Sequence, residues 1–220
     1  MESAYSKGVA FIFEGDTEKV FYTNLLEHLC QKHEGYILAK QVDIESGEIY
    51  FVLESQSSRV LIKMNVVGTI SQLTNSGAWF TSKCYAKNKK LNWNVILCYD
   101  TDDYKEDFSK FHEGDWEILR KTLSKKKTTR ILDMAANADI EDTMLLDSDS
   151  VFKFLEMEPC PIPSGSKGKR KMKKLFRLKG QGIAYHEGVR ADPLIRALDF
   201  DVIIGKSRLP FDELEEICFS

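Results

Sequence analysis

No apolar run in this chain is long enough to cross a bilayer. Val9–Phe13 falls far short of the ~20 residues a spanning helix needs, and no later stretch does better. The opening segment, MESAYSKGVAFIFEGDTEK, lacks the signal-peptide order of basic residues, apolar stretch and small-residue cleavage site. The expectation is therefore a cytoplasmic protein without a membrane partner. The five cysteines, Cys30, Cys84, Cys98, Cys160 and Cys218, are scattered and form no CxxC pair. That excludes a zinc knuckle and a thioredoxin-like motif and leaves reduced thiols. His28, His33, His112 and His186 show no metal-ligand spacing. No GxxxxGK[ST] phosphate loop occurs; Ser164–Lys169 has its glycines and lysines but follows prolines rather than a strand.

The chain has 220 residues, 43% hydrophobic and 30% charged, which suits one substantial domain with a buried core. Its net charge of -3 argues at first against a polyanion partner. The average conceals a split, however. Residues 161–220 carry twelve basic and eight acidic side chains, whereas residues 1–160 carry nineteen basic and twenty-six acidic.

Gly8–Phe13 reads as a strand buried on both faces, broken by Glu14-Gly15-Asp16. Thr17 reads as the N-cap of a helix running to about Gln31, with Val20, Phe21, Leu25, Leu26 and Leu29 on one stripe. Further strands are expected at Tyr36–Val42, Glu48–Glu54, Arg59–Val67, Asn94–Tyr99 and Thr128–Met134. Helices are expected from Gly68 to about Ala86 and over Asp115–Ser124, Asp139–Asp147, Ser150–Met157, Lys167–Leu178 and Ala191–Leu198, with a last one from Phe211. Pro159, Pro161, Pro163 and Ser164-Gly165-Ser166 form the clearest breaker. This pattern predicts an α/β fold with a mainly parallel central sheet flanked by helices and an antiparallel strand insertion near residues 36–67. The division expected is a core over 1–158 and a basic helical extension over 159–220 packed on it.

Acids stand at two strand ends. Glu14 closes the first strand and Glu18 follows one turn into the helix, while Asp100 and Asp102 close the strand ending at Tyr99. In parallel α/β sheets the carboxyl ends of the strands form the ligand crevice. If the two strands are neighbours, these carboxylates converge and could grip one hard cation such as magnesium. Each acid also has a plainer reading: Asp is an ordinary turn former, and Glu18 suits a helix N-terminus.

Phe13-Glu14-Gly15-Asp16-Thr17-Glu18-Lys19, followed by Cys98-Tyr99-Asp100-Thr101-Asp102, resembles the TOPRIM domain, particularly its OLD-like and RloB-like branches. Ile140-Glu141-Asp142-Thr143 is similar to the acidic helix start of that branch. The resemblance covers roughly residues 8–147. It implies a TOPRIM-like, Rossmann-like sheet and Mg²⁺- or Mn²⁺-dependent cleavage of nucleic acid, in phage defence or nucleic-acid processing. It assigns catalysis to Glu14, Asp100 and Asp102, and metal binding to these together with Glu18, Glu141 and Asp142. A partner ATPase or other defence subunit is implied too, since the ATP-binding half of full-length OLD-type proteins is absent here. Two other functions are compatible: a non-catalytic nucleic-acid-binding subunit, and a phosphotransfer enzyme on nucleotides.

Lys167, Lys169, Arg170, Lys171, Lys173, Lys174, Arg177 and Lys179 fall within thirteen positions that hold no acid. Met172, Leu175 and Phe176 lie at helical spacing among them, so a helix here would carry a crowded cationic face suited to DNA or RNA phosphates. The equally balanced alternative is a solvated helix that neutralises the acidic front of the molecule.

Overall fold

The computed structural model of the chain describes residues 5–68, 73–101, 113–126, 128–165, 167–180 and 182–220. The fold is α/β, with a mixed sheet flanked by helices. Six strands lie in the order β2-β3-β4-β1-β5-β6. They are β1 (Lys7–Phe13), β2 (Ile37–Val42), β3 (Ile49–Glu54), β4 (Arg59–Val66), β5 (Trp93–Asp100) and β6 (Thr128–Ala136). Strands β4, β1, β5 and β6 run parallel, and β2 and β3 add an antiparallel edge.

Strand alternation explains why both faces are covered. Val9, Phe11 and Phe13 of β1 enter one core with Ile96 and Cys98 of β5. Ala10 and Ile12 enter the opposite core with Val95, Leu97 and Tyr99. Side chains two apart share a face, so a strand buried on both sides must be apolar throughout. The first core is roofed by α1 (Asp16–Lys32) and by helices from beyond the proline-rich breaker: α6 (Gly168–Lys179), α7 (Asp192–Arg196), α8 (Phe200–Lys206) and α9 (Phe211–Phe219). The second is covered by α2 (Leu73–Trp79), the π-helical turn Phe80–Tyr85 that continues it, and α3 (Glu113–Ser124). Two short helices, α4 (Ile140–Met144) and α5 (Ser148–Phe154), follow β6. None of the helices among the described residues is long and apolar enough to cross a membrane.

Three local expectations change. Helix α1 starts before Thr17: its N-cap is Gly15, in extended backbone, and Thr17 lies buried in the first turn. The helix expected from Gly68 to Ala86 is described from Leu73 and widens into a π turn, where the Ala86 N–H reaches the Thr81 carbonyl at 2.9 Å. Helix α8 was not expected from the sequence; the Asp199 carboxylate starts it by accepting from the Asp201 and Val202 N–H groups at 2.9 and 3.3 Å.

Gly8 sits where β1 meets the indole of Trp93. A Cβ at this position would lie 2.6 Å from the ring, which is itself fully buried and edge-on to Phe80. Gly8→Ala should therefore destabilise the protein by about 1–3 kcal/mol through overpacking, lowering Tm by several degrees. Gly205→Ala, where an added Cβ meets nothing within 4 Å inside α8, should leave Tm unchanged or raise it. Thermal denaturation of the two variants side by side checks this; equal melting temperatures would contradict it.

Candidate active site

The parallel strands end together, and their ends build the site. The Glu14 N–H, just past β1, donates to the Cys98 carbonyl of β5 at 2.9 Å, and the Glu14 carboxylate Oε2 accepts from the Asp100 N–H at 3.2 Å. Register thus brings Glu14 and Asp100 side by side. Glu18, one turn into α1, folds back over Gly15: a Cβ on that glycine would come within 2.9 Å of the Glu18 carboxylate. Glu141, in the first turn of α4, faces the same space. A cavity of about 400 Å³ lies between these groups and Lys169.

Glu18 is 5% exposed and Glu141 1% exposed. Burial, opposed in part by a bond to its own backbone N–H and reinforced by Glu14 and Glu141, raises the Glu18 carboxyl to about 8. Burial and Asp139 raise Glu141 to about 7, against the hydrogen bond that Tyr185 Oη donates to Glu141 Oε1 at 2.8 Å. Burial first, then Glu18, Glu14 and Glu141, hold the Asp100 carboxyl well above the usual carboxylate range. Its Oδ1 is buried and finds no hydrogen-bond partner among the described residues.

Helix α6 supplies the cation. Its first turn is fastened to α4 by two carboxylates: the Gly168 N–H donates to Asp142 Oδ2 at 2.6 Å, and the Lys169 N–H to Asp139 Oδ2 at 3.0 Å. Acids at a helix N-terminus satisfy its unpaired N–H groups and its dipole. A Cβ at Gly168 would lie 2.1 Å from the Asp142 nitrogen, so only glycine allows this approach. Lys169 Nζ then pairs with Glu187 Oε2 at 2.8 Å at the cavity wall. Burial works against the Lys169 charge, but Glu187 and Glu141 raise its pKa overall. The Gly188 N–H donates to the Thr17 hydroxyl at 2.8 Å, tying the 185–188 segment over the crevice.

Of the residues expected from the sequence, Glu14, Glu18, Asp100 and Glu141 are brought to one cavity. Asp102 lies outside the described residues. Asp142 does not line this cavity; its carboxylate caps α6 and pairs with Lys171 at 2.6 Å. Lys169 and Glu187, which line the crevice, and Tyr185, which bonds Glu141, are residues that the acidic motifs did not reveal. Tyr185 is buried while His186 and Glu187 after it are exposed, so no alternation in this segment marks them in the sequence. No group of three or more His, Cys, Asp or Glu among the described residues forms a ready metal sphere.

The basic helix is not a free phosphate-binding face. Lys169 and Lys173 both pair with Glu187, Lys171 pairs with Asp142, Lys174 bonds the Ser164 carbonyl and Lys179 the Glu156 carbonyl. Lys167 is half-buried, and Arg170 and Arg177 are exposed. The run neutralises nearby acids, and Met172, Leu175 and Phe176 anchor it in the core.

No protein-family model matches the chain, and no curated protein matches it. Solved structures with partial likeness include the 5'-methylthioadenosine/S-adenosylhomocysteine nucleosidase of Campylobacter jejuni, at 12% identity over 97% of this chain and 98% of that one, with a TM-score of 0.28. They also include the futalosine hydrolase of Helicobacter pylori, at 7% identity over 92% and 99%, with a TM-score of 0.29. At this level the likeness carries no argument about the activity of this chain. The expected TOPRIM membership is corrected: no family model supports it, and the two solved structures named above are a nucleosidase and a futalosine hydrolase, not TOPRIM proteins. With it fall the expected nuclease and its two alternatives, the phage-defence role, the partner ATPase and the nucleic-acid partner expected at Lys167, Lys169, Arg170, Lys171, Lys173, Lys174 and Arg177.

Between its unfolded and folded pKa values, a carboxyl whose pKa is raised on folding is protonated in the folded state while ionised in the unfolded chain. Stability is then full below the unfolded value of 4.5 and is lost as pH rises through about 8 for Glu18. Without divalent cations, Tm should fall between pH 5.5 and 8.5, and Glu18→Gln should flatten that fall. A profile that is level or rising in the native protein would contradict the geometry.

Proposed function

We propose that the crevice is the active site of a hydrolase acting on a small polar molecule. The observation that carries this reading is the convergence of Glu14, Glu18, Asp100 and Glu141 with Lys169 around a cavity of about 400 Å³ at the strand ends. That volume falls in the range of small-molecule sites, ~300–1,000 Å³. Glu141, with a carboxyl near 7, is suited to give or take a proton at neutral pH, and Tyr185 fixes one of its oxygens. Glu18, nearer 8, keeps its proton through most of that range and can donate it. Two carboxyl groups held at different protonation in one cavity supply an acid and a base. Lys169, charged throughout, stands where negative charge builds on a substrate oxygen.

A divalent cation is a second element of the proposal, favoured by the buried, unpartnered Asp100 Oδ1. Glu14 and Asp100 would hold it, with waters completing the sphere, as magnesium prefers. Bound there, Mg²⁺ or Mn²⁺ would supply Lewis-acid polarisation of a substrate or water oxygen.

The test is turnover of small esters, amides and glycosides between pH 6 and 9, with and without Mg²⁺ or Mn²⁺. At least one class should be hydrolysed with an inflection near pH 7, and Glu141→Gln should remove the inflection and cost about 10²–10⁴ in kcat. No turnover in any class, or turnover indifferent to Glu141→Gln and Glu18→Gln, would refute the assignment. Calorimetric titration with Mn²⁺ tests the cation separately: Asp100→Asn should weaken binding at least tenfold, and absence of binding to the native chain would remove the cation while leaving the acid–base reading standing.

A further inference from the structure

Glu141 lines the acidic crevice, whereas the next residue, Asp142, lines a second cavity of about 350 Å³. Its charge has the opposite sign. The Asp142 carboxylate is already neutralised, one oxygen by Lys171 Nζ and the other by the Gly168 N–H, both at 2.6 Å. What remains is two cations, Lys206 and Arg208, at the end of α8. Lys206 Nζ donates one proton to the Leu146 carbonyl at 3.0 Å and keeps two to offer. Arg208 is exposed and makes no hydrogen bond or ion pair among the described residues.

Neutral donors complete the lining. Ser207 Oγ accepts from the Leu209 N–H at 3.1 Å, so its own proton is free to donate. Thr143 brings a buried hydroxyl, and Asn137 a side-chain amide at the end of β6. Asn137 is set in place by Ala138, which adopts a left-handed φ of 64° and donates its N–H to the buried Thr101 hydroxyl at 3.0 Å. A non-glycine residue in that conformation is uncommon and is held here by the surrounding bonds.

We infer that this cavity binds the phosphate group of a small molecule. A cation would meet Lys206 and Arg208, and an apolar ligand would strip water from both without replacing it. A dianion with several acceptor oxygens matches two cations and three neutral donors, and a guanidinium with free N–H groups is the side chain best shaped to grip it. Leu146 and Leu209 offer an apolar wall to the rest of such a molecule. The inference stands on these residues alone and does not depend on the chemistry of the acidic crevice.

The probe is inorganic phosphate, titrated calorimetrically into the full chain at pH 7.5 without divalent cations. Saturable binding is expected, with Arg208→Ala and Lys206→Ala each weakening it about 10–100-fold, the cost of losing a charged hydrogen bond. Arg208 is exposed, so its variant keeps the test valid if Lys206→Ala fails to fold. Arg177→Ala, elsewhere on the surface, should change binding less than twofold. Three results would overturn the inference: no saturable binding, an equal loss with Arg177→Ala that marks a diffuse charge effect, or a loss with Lys169→Ala but none with Arg208→Ala, which would seat phosphate in the acidic crevice.

Discussion

Glu14, Glu18, Asp100 and Glu141 repel one another whenever they are ionised, and burial at the end of the sheet leaves little water to screen them. Two like charges ~4 Å apart cost about 4 kcal/mol at an effective dielectric of ~20, a large share of the ~5–15 kcal/mol that holds a domain together. The molecule meets this in three ways. Protons stay on Glu18 and Glu141 to near-neutral pH, Lys169 brings a permanent positive charge, and the Glu18 carboxylate bonds its own backbone N–H in the first turn of α1. Each response leaves a group poised for chemistry.

The position of Lys169 follows from a junction between two short pieces of chain. Asp139 and Asp142 open α4 and at the same time close the N-terminus of α6, with Gly168 filling the contact as no larger residue could. The acids of one helix thereby fix the direction of the next. Glu187 then holds both Lys169 and Lys173, so burial that would raise its carboxyl is outweighed by their hydrogen bonds, and its pKa falls below the ordinary value. The charge split between the two parts of the chain resolves into contacts of this kind: the basic helix lies against the acidic crevice, and its lysines are largely matched by acids and carbonyls.

Much of this was legible in the sequence because it depends on local patterns. Apolar runs ending in acids located β1 and β5, and parallel pairing of two buried strands is enough to place Glu14 beside Asp100. The remainder depends on contacts across long stretches of chain. Nothing near Lys169 marks it as the one cation of its run to enter the crevice, since that follows from how Gly168 docks on α4. Asp142 and Glu141 are neighbours in sequence, yet helical rotation sends one to cap α6 and the other into the cavity. Gly15 displaced Thr17 as the start of α1 because extended backbone there lets Glu18 fold back. The resemblance to TOPRIM rested on short acidic motifs after strands, and a parallel sheet with any acidic crevice at its carboxyl edge produces the same order of residues.

The central claim is that buried, mutually repelling glutamates keep their protons near neutral pH. Titration of the glutamate side-chain carboxyl carbons by ¹³C NMR, with Glu18→Gln and Glu141→Gln for assignment, tests it most directly. The account predicts two glutamates titrating near 7 and 8. If all glutamates titrated in the ordinary range around 4–5, the crevice would be open to water and the account would be wrong.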